Sequence, residues 1–381
     1  MATMQQVADR AGVSIATVSF VVNGTKRVSP QTAERVHKAM KELGFRNNVV
    51  ARALASRRTR IIALLFPTAE NRMRGSALEF FMAAVDRASE LGYHLVLWPD
   101  APSGDDLDDL ISGGLVDGVI LMEVRMEDPR IVKLRELGVP FAAIGRTRDT
   151  TDLPFVDMDF ENTVEESLDY LQRLGHSHFG LVIEDLEKTV MAGYAPHLRT
   201  QATFVESTRR RRLTSTIQYC GYSTAGGREA AKQLLERDPD VTAILIMKDE
   251  STFGLMAGLR ELGKRIPEDV SVLSLASSSA EGAHHEPAMS VMVSPSRELG
   301  QLAAESLIGQ LEGTLAEMPH VLITCKLEVA ESTGAAPVRE EASSVLLSDP
   351  APVAAPIEVA ASAPVRRRRR TPSTTAGTTG P

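Results

Sequence analysis

The chain has 381 residues, 43% of them hydrophobic, and carries 42 Lys and Arg against 50 Asp and Glu, a formal net charge of −8. That length supports two or three separate cores, and the apolar content is ordinary for a soluble protein. No run of about 18 apolar residues occurs, so no membrane-spanning helix is expected. The first elements are short. Thr3 with Gln6 three residues on has capping-box spacing, and Val7 and Ala11 share one face at i, i+4. Gly12 permits the left-handed end of that helix, and Ser14 is a good N-cap for the next, which runs to the Asn23-Gly24 stop signal. Val18, Val21 and Val22 form its apolar stripe, leaving Ile15, Ala16, Thr17, Ser19 and Phe20 for the other faces. Ser29-Pro30 opens a third helix, with Ala33, Val36, Ala39, Met40 and Leu43 at helical spacing up to Gly44. Helix, tight turn, helix and a supporting helix describe a helix-turn-helix DNA reader, and equally any small helical bundle. Charge favours the reader. Residues 1–60 hold eleven basic side chains against three acidic ones, a basic head on an acidic body, as phosphate binding requires.

The body reads as alternating strands and helices. Apolar runs at Ile61–Phe66, His94–Trp98, Val116–Met122 and Pro140–Ile144 are parted by helical patterns. The pattern restarts with Phe179–Ile183, Ile217–Cys220, Ala243–Met247 and Val270–Leu275, with helices near 160–174, 199–208, 225–237 and 251–262. Near-continuous apolar strands separated by helices imply parallel sheets covered on both faces. Two such lobes imply a cleft with a ligand at the strand ends. From about Ala335, Ala, Pro, Ser and Thr dominate and periodicity stops, which reads as a disordered tail. Its five arginines, Arg366 to Arg370, are either a solvated run or a tether to nonspecific DNA.

Nothing points to an enzyme, a metal or another cofactor. No phosphate loop, zinc spacing or nucleophile elbow occurs. His176/His178 and His284/His285 are pairs without a third ligand nearby, and Ser277–Ser279 read as a polar loop. Cys220 and Cys325 lie in separate apolar runs and are expected to be buried thiols in a cytoplasmic chain, which shows no secretory leader.

Asp9-Arg10-Ala11-Gly12-Val13-Ser14, Ala16-Thr17-Val18-Ser19 and Val21-Val22-Asn23-Gly24 resemble the head of the LacI/GalR repressor family. So do Ala39 to Phe45 and Asn48-Val49-Val50-Ala51-Arg52-Ala53-Leu54; Leu174-Gly175-His176 and Pro267 to Val272 extend the likeness through the body to about residue 334. The resemblance implies an α-helical helix-turn-helix head (1–46), a hinge helix or linker (47–59), and an α/β two-lobed periplasmic-binding-protein-like effector domain (60–334), followed by the disordered tail (335–381). It also implies a homodimer or a tetramer on a double-stranded palindromic operator. Three chain crossings would join the lobes, the helix around 297–312 would return to the first lobe, and the strand Val321–Leu327 would belong to the second.

Site residues follow from the same resemblance. Base reading would fall to Ile15 and Ala16, small apolar side chains suited to thymine methyls. Thr3, Thr17, Ser19, Asn23, Ser29, Asn48 and Ala51 would contact the duplex, mainly its phosphates. Phe20 would either touch a thymine methyl or pack inward, and Arg27 is the best hydrogen-bonding candidate for guanine. Leu54 matches a minor-groove wedge that opens a central CG step. Asn47 departs from the family's usual proline. In the cleft, Asp159, Arg199, Lys248, Asp249 and Ser277 match effector-binding positions, although Asp159 could equally cap a helix. Lys248 for the usual asparagine, and serines for the usual acids after Val270–Leu275, suggest an anionic or weakly polar effector such as a sugar phosphate rather than a neutral sugar. The residues leave two rival readings: a solute-binding protein, disfavoured by the basic head, and an effector-independent DNA-architectural protein.

Overall fold

Thr3 caps α1 (Met4–Ala11) in a closed box: the Gln6 amide donates to Thr3 Oγ1 at 3.3 Å and the Thr3 amide to Gln6 Oε1 at 2.8 Å. Gly12, at φ +64°, turns the chain in a left-handed conformation that costs glycine little. Ser14 Oγ then accepts from the Thr17 amide at 3.1 Å and α2 (Ile15–Asn23) begins. Ser29 caps α3 (Pro30–Glu42), with proline at its first turn. Val7, Ala8, Ala11, Val18, Val36 and Ala39 close the core of this three-helix head, and an Arg10–Glu42 ion pair at 2.7 Å ties α1 to α3. This computed structural model describes residues 2–23, 26–45, 58–67, 75–100, 107–247 and 249–338.

Two six-stranded sheets make up the body. The first lobe contains β1 (Ile61–Pro67), α4 (Gly75–Glu90), β2 (His94–Asp100), α5 (Leu107–Ser112), β3 (Gly118–Leu121), α6 (Pro129–Glu136), β4 (Phe141–Ile144) and β5 (Phe155–Met158). The second contains α7 (Phe160–Arg173), β6 (His178–Glu184), α8 (Ala195–Arg210), β7 (Thr214–Cys220), α9 (Thr224–Arg237), β8 (Ala243–Ile246), α10 (Asp249–Glu261), β9 (Ser271–Ser277), α11 (Ser279–Ala283) and β10 (Ser290–Val293). The chain then returns to the first lobe as α12 (Ser296–Glu312) and β11 (His320–Ile323), and ends in the second with β12 (Lys326–Glu328). Strand orders are β11-β5-β4-β3-β1-β2, parallel throughout, and β12-β10-β9-β8-β6-β7, parallel except for the antiparallel β10/β12 pair. Both sheets therefore need helices on both faces, which is why central strands such as β3, β4 and β8 are apolar and buried along their whole length.

The run Val321–Leu327, expected as one strand of the second lobe, is two strands in different sheets. β11 pairs with β5, β12 pairs with β10, and Thr324-Cys325 cross between them. The crossing is held from the second lobe, where Asn162 Nδ2 donates to Thr324 Oγ1 at 3.1 Å and the Cys325 amide donates to Thr163 Oγ1 at 3.4 Å. Cys220 and Cys325 are both buried and free. His176 is structural: its ring nitrogens lie 2.9 Å from Thr242 Oγ1 and 3.0 Å from Ser271 Oγ, joining α7's end to β8 and β9. Ala336 donates to Leu174 O at 2.8 Å, so the body's contacts continue past residue 334. The Arg366 to Arg370 run lies outside the described residues.

Glycines set the closest helix packing. A Cβ at Gly254 of α10 would lie 1.8 Å from Thr224 O, and one at Gly227 of α9 would lie 1.9 Å from Ser251 O, so the two backbones touch. Gly254→Ala is expected to force them apart and cost about 3 kcal/mol, at the upper end of overpacking effects. Urea unfolding of the second lobe measures it; an unchanged midpoint would show that the contact relaxes freely.

Candidate DNA-reading face and interlobe cavity

On the head, Ile15 is 45% exposed and Ala16 is exposed, both at the start of α2. Thr17 turns its hydroxyl to Ser14 Oγ at 2.9 Å, so it is engaged in the cap, and Ser19 is half-buried. Phe20 is half-buried, with Lys26 Nζ 5.3 Å from its ring centroid. Thr3, Arg27 and Ser29 are exposed, the first and last as helix caps. Asn23 closes α2, while Asn48, Ala51 and Leu54 lie outside the described residues. The result is an apolar tip on α2 next to cationic side chains.

In the body, a cavity of about 390 Å³ lies between the lobes. Phe66, Tyr194, Tyr222 and Phe253 bring aromatic surface to it from both sides. Glu123, Asp157, Glu250 and Glu281 bring carboxylates, and among the described residues no Lys or Arg lines it. Among the described residues, carboxylates line the cavity where the sequence suggests serines. The anionic-effector expectation rested on Lys248, which lies outside the described residues, and on Ser277, which is buried away from the cavity while Ala276 and Glu281 line it. Acids did not vanish from the cleft; they enter from other elements.

Glu123 shows how. It follows β3 with φ +53°. Arg130 holds this turn: its Nη2 donates to Met122 O at 3.0 Å and Glu123 O at 3.1 Å, and Nε donates to Asp128 Oδ1 at 3.0 Å. The Arg130 and Asp128 side chains are 1% and 0% exposed, a fully buried ion pair. So held, Glu123 faces the cavity, and its Oε2 is enclosed there. Tyr194 stands opposite. Burial, then Glu123, Asp157 and Glu184, push its phenol well above the ordinary tyrosine range.

Asp157 ends β5, and burial pushes its carboxyl up to about 7 against the pull of Arg146 and Arg199. Arg146 Nε lies 3.2 Å from Asp157 Oδ2, and its Nη2 lies 2.7 Å from Glu161 Oε2. Because the folded value exceeds the ordinary carboxylate value, the folded chain keeps a proton that the unfolded chain loses between about pH 4 and 7. Stability from this group is present at the acid end and lost as pH rises through about 7. Asp157→Asn is therefore expected to flatten the decline in thermal midpoint between pH 5 and 7.5; identical slopes in the two proteins would refute the assignment.

Two sequence-expected cleft residues take other positions. Arg199 Nη1 donates to Glu161 Oε1 at 3.0 Å and Nη2 to Thr147 O at 2.9 Å, so it ties second lobe to first rather than lining the cavity. Asp159 accepts from the Asn162 amide at 2.9 Å as the cap of α7 and does not line the cavity either. Asp249 begins α10. Glu123 and Tyr222 went unread in the sequence, although both follow strand ends, where parallel sheets place ligands.

Two family models match. Bacterial regulatory proteins, lacI family, covers residues 3–48, and the periplasmic binding protein-like domain covers residues 168–333. The HTH-type transcriptional regulator CelR of Thermobifida fusca is 31% identical over 343 residues, 87% of this chain and 98% of its own. This chain belongs to the LacI family. Catabolite control protein A of Priestia megaterium is 27% identical over 339 residues, 87% of this chain and 99% of its own. A solved CelR-cellobiose complex superposes with TM-score 0.64 at 27% identity, covering 87% of this chain and 100% of that one. The Lac repressor dimer bound to operator and the anti-inducer ONPF superposes with TM-score 0.74 at 24% identity, over 88% of this chain and 99% of that one, a likeness of fold. The family's members are transcriptional regulators. Among the described residues no helix is long and apolar enough to cross a membrane.

Proposed function

We propose that the chain represses transcription as a cytoplasmic homodimer on a palindromic operator, and that a polyhydroxylated small molecule in the interlobe cavity sets its affinity for DNA. The reading divides the chain as above: head 1–46, hinge 47–59 with Leu54 as wedge, effector body 60–334 and tail 335–381. The observation that carries it is the pairing of an exposed Ile15 and Ala16 tip on a basic helix-turn-helix head with an aromatic and carboxylate-lined cavity in the same chain. Carboxylates accept hydroxyl hydrogens and aromatic faces cover the C–H faces of sugar rings, which suits a neutral sugar better than a sugar phosphate. The cellobiose seen with CelR is such a ligand. For the dimer, exposed apolar side chains mark the edge strands β2 (Val96, Leu97) and β7 (Tyr219) and their covering helices α4 (Leu78, Met82) and α8 (Leu198, Val205). A ligand that prefers one lobe arrangement then shifts the spacing of the two hinges.

Selection of bound duplexes from a random pool tests the DNA half, and a thermal-shift screen of sugars and sugar phosphates tests the effector half. A palindromic consensus and a sugar that changes affinity for it are expected. A consensus with no responding ligand would return the architectural reading. Deleting residues 336–381 is expected to weaken nonspecific binding and flatten its dependence on salt, because it removes the Arg366 to Arg370 run. Titrations of a random duplex at several salt concentrations measure this.

A further inference from the structure

The cavity of about 390 Å³ between the lobes shares a wall with a second one of about 240 Å³, because Glu123, Tyr194 and Tyr222 line both. Carboxylates reach the first from separate places: Glu123 after β3, Asp157 in β5, Glu250 in α10 and Glu281 in α11. Glu184, which ends β6, and Asp185 line the second. Among the described residues no Lys or Arg lines either cavity. Three of these acids lie near a basic side chain. Asp157 has Arg146 at 3.2 Å, Glu184 has His197 Nε2 at 3.2 Å and Glu281 has His284 Nδ1 at 3.8 Å. Glu123 differs: its partner is the Tyr194 hydroxyl, a neutral donor that leaves the carboxylate's charge in place. The excess is felt at that phenol, which Glu123, Asp157 and Glu184 push up further after burial has done so. The turn that presents Glu123 is fixed, at φ +53°, by the two Arg130 bonds to its own carbonyl and that of Met122.

We propose that the occupant is an amino sugar, its protonated amine on Glu123 where the two cavities meet and its ring against Tyr194 and Tyr222. The proposal rests on the interlobe cavity being the effector site and adds a charge to the ligand expected there. Sugar hydroxyls donate hydrogen bonds to carboxylates but leave their negative charge uncompensated in a partly enclosed space. An ammonium group does both, through charge-assisted hydrogen bonds that are about twice as strong as neutral ones. The faces of Tyr194 and Tyr222 attract the same cation. An anionic sugar at this position meets Glu123, Asp157 and Glu184 together and is repelled.

Isothermal titration of the full-length protein near neutral pH tests the charge. The probes are glucosamine, galactosamine, mannosamine and the β-linked glucosamine dimer, each beside its N-acetyl derivative and its hydroxyl parent. Spermidine serves as an amine without a ring. One of the amino sugars is expected to bind about 10-fold or more tightly than both of its uncharged counterparts. Glu123→Gln keeps the side chain's shape and removes its charge, and is expected to shrink that preference to about 3-fold or less. Without ligand, the same variant is expected to melt at or above the wild-type midpoint, because it takes one negative charge away from the group around Tyr194. Uncharged counterparts that bind as tightly as the amines overturn the proposal and leave the effector reading standing. A preference that survives Glu123→Gln overturns the placement of the amine. So does a clearly lowered midpoint, since a cation of the chain then already balances Glu123. Spermidine as tight as the best amino sugar overturns the sugar assignment. If no saccharide of any kind binds, the effector reading itself fails and takes the proposal with it.

Discussion

Replacing Ile15 with glutamate is expected to weaken binding to the selected duplex on the order of 100-fold, about 2.7 kcal/mol, while leaving the thermal midpoint unchanged. The two expectations have separate causes. Ile15 is 45% exposed at the first position of α2, so the substitution removes little from the head core of Val7, Val18 and Val36. A carboxylate there also meets the positive end of the helix dipole, which is mildly stabilising. Against a duplex, the same carboxylate faces phosphates and loses the apolar contact with a thymine methyl. Fluorescence anisotropy and a thermal melt on the same preparation separate the effects. Full-strength binding by a folded Ile15→Glu protein would mean that the start of α2 does not face the groove.

The second large effect is in the body. Arg130→Ala is expected to cost about 3–5 kcal/mol, because it leaves the Asp128 carboxylate buried without its partner. It also frees the carbonyls of Met122 and Glu123, so the turn that aims Glu123 loses its brace. A companion variant separates charge burial from bracing. Arg130→Met with Asp128→Leu removes both charges, and most of the lost stability is expected to return, since apolar replacement of a whole buried pair is close to neutral. Exchange protection of the Ala195 amide, which donates to Val124 O at 3.0 Å, is not expected to return, because nothing then holds the turn. Denaturant unfolding and hydrogen exchange are the two measurements. A single Arg130→Ala variant as stable as wild type would show that water reaches Asp128.

The head was legible in the sequence almost residue by residue. Its signals act within one helical turn: Thr3 with Gln6, Ser14 with Thr17, Ser29 with Thr32, and Gly12 at the left-handed end. Residue type and spacing specify such contacts with no help from the rest of the chain. The parallel lobes were legible for a similar reason, since strands buried on both faces must be apolar throughout. Asp159 as a cap belongs to the same class.

Tertiary structure alone decided where side chains separated by long stretches of chain would meet. Periodicity detects that 321–327 is strand-like but not that its halves join different sheets, because the pairing partners lie far away in the chain. It cannot send Arg199 to a carbonyl 52 residues earlier, or turn Glu123 inward through Arg130. Those outcomes depend on strand order and on which buried charge finds which partner. Local hydrogen bonds and burial preferences are written along the chain, whereas the cavity arises only once two lobes have folded and come into contact.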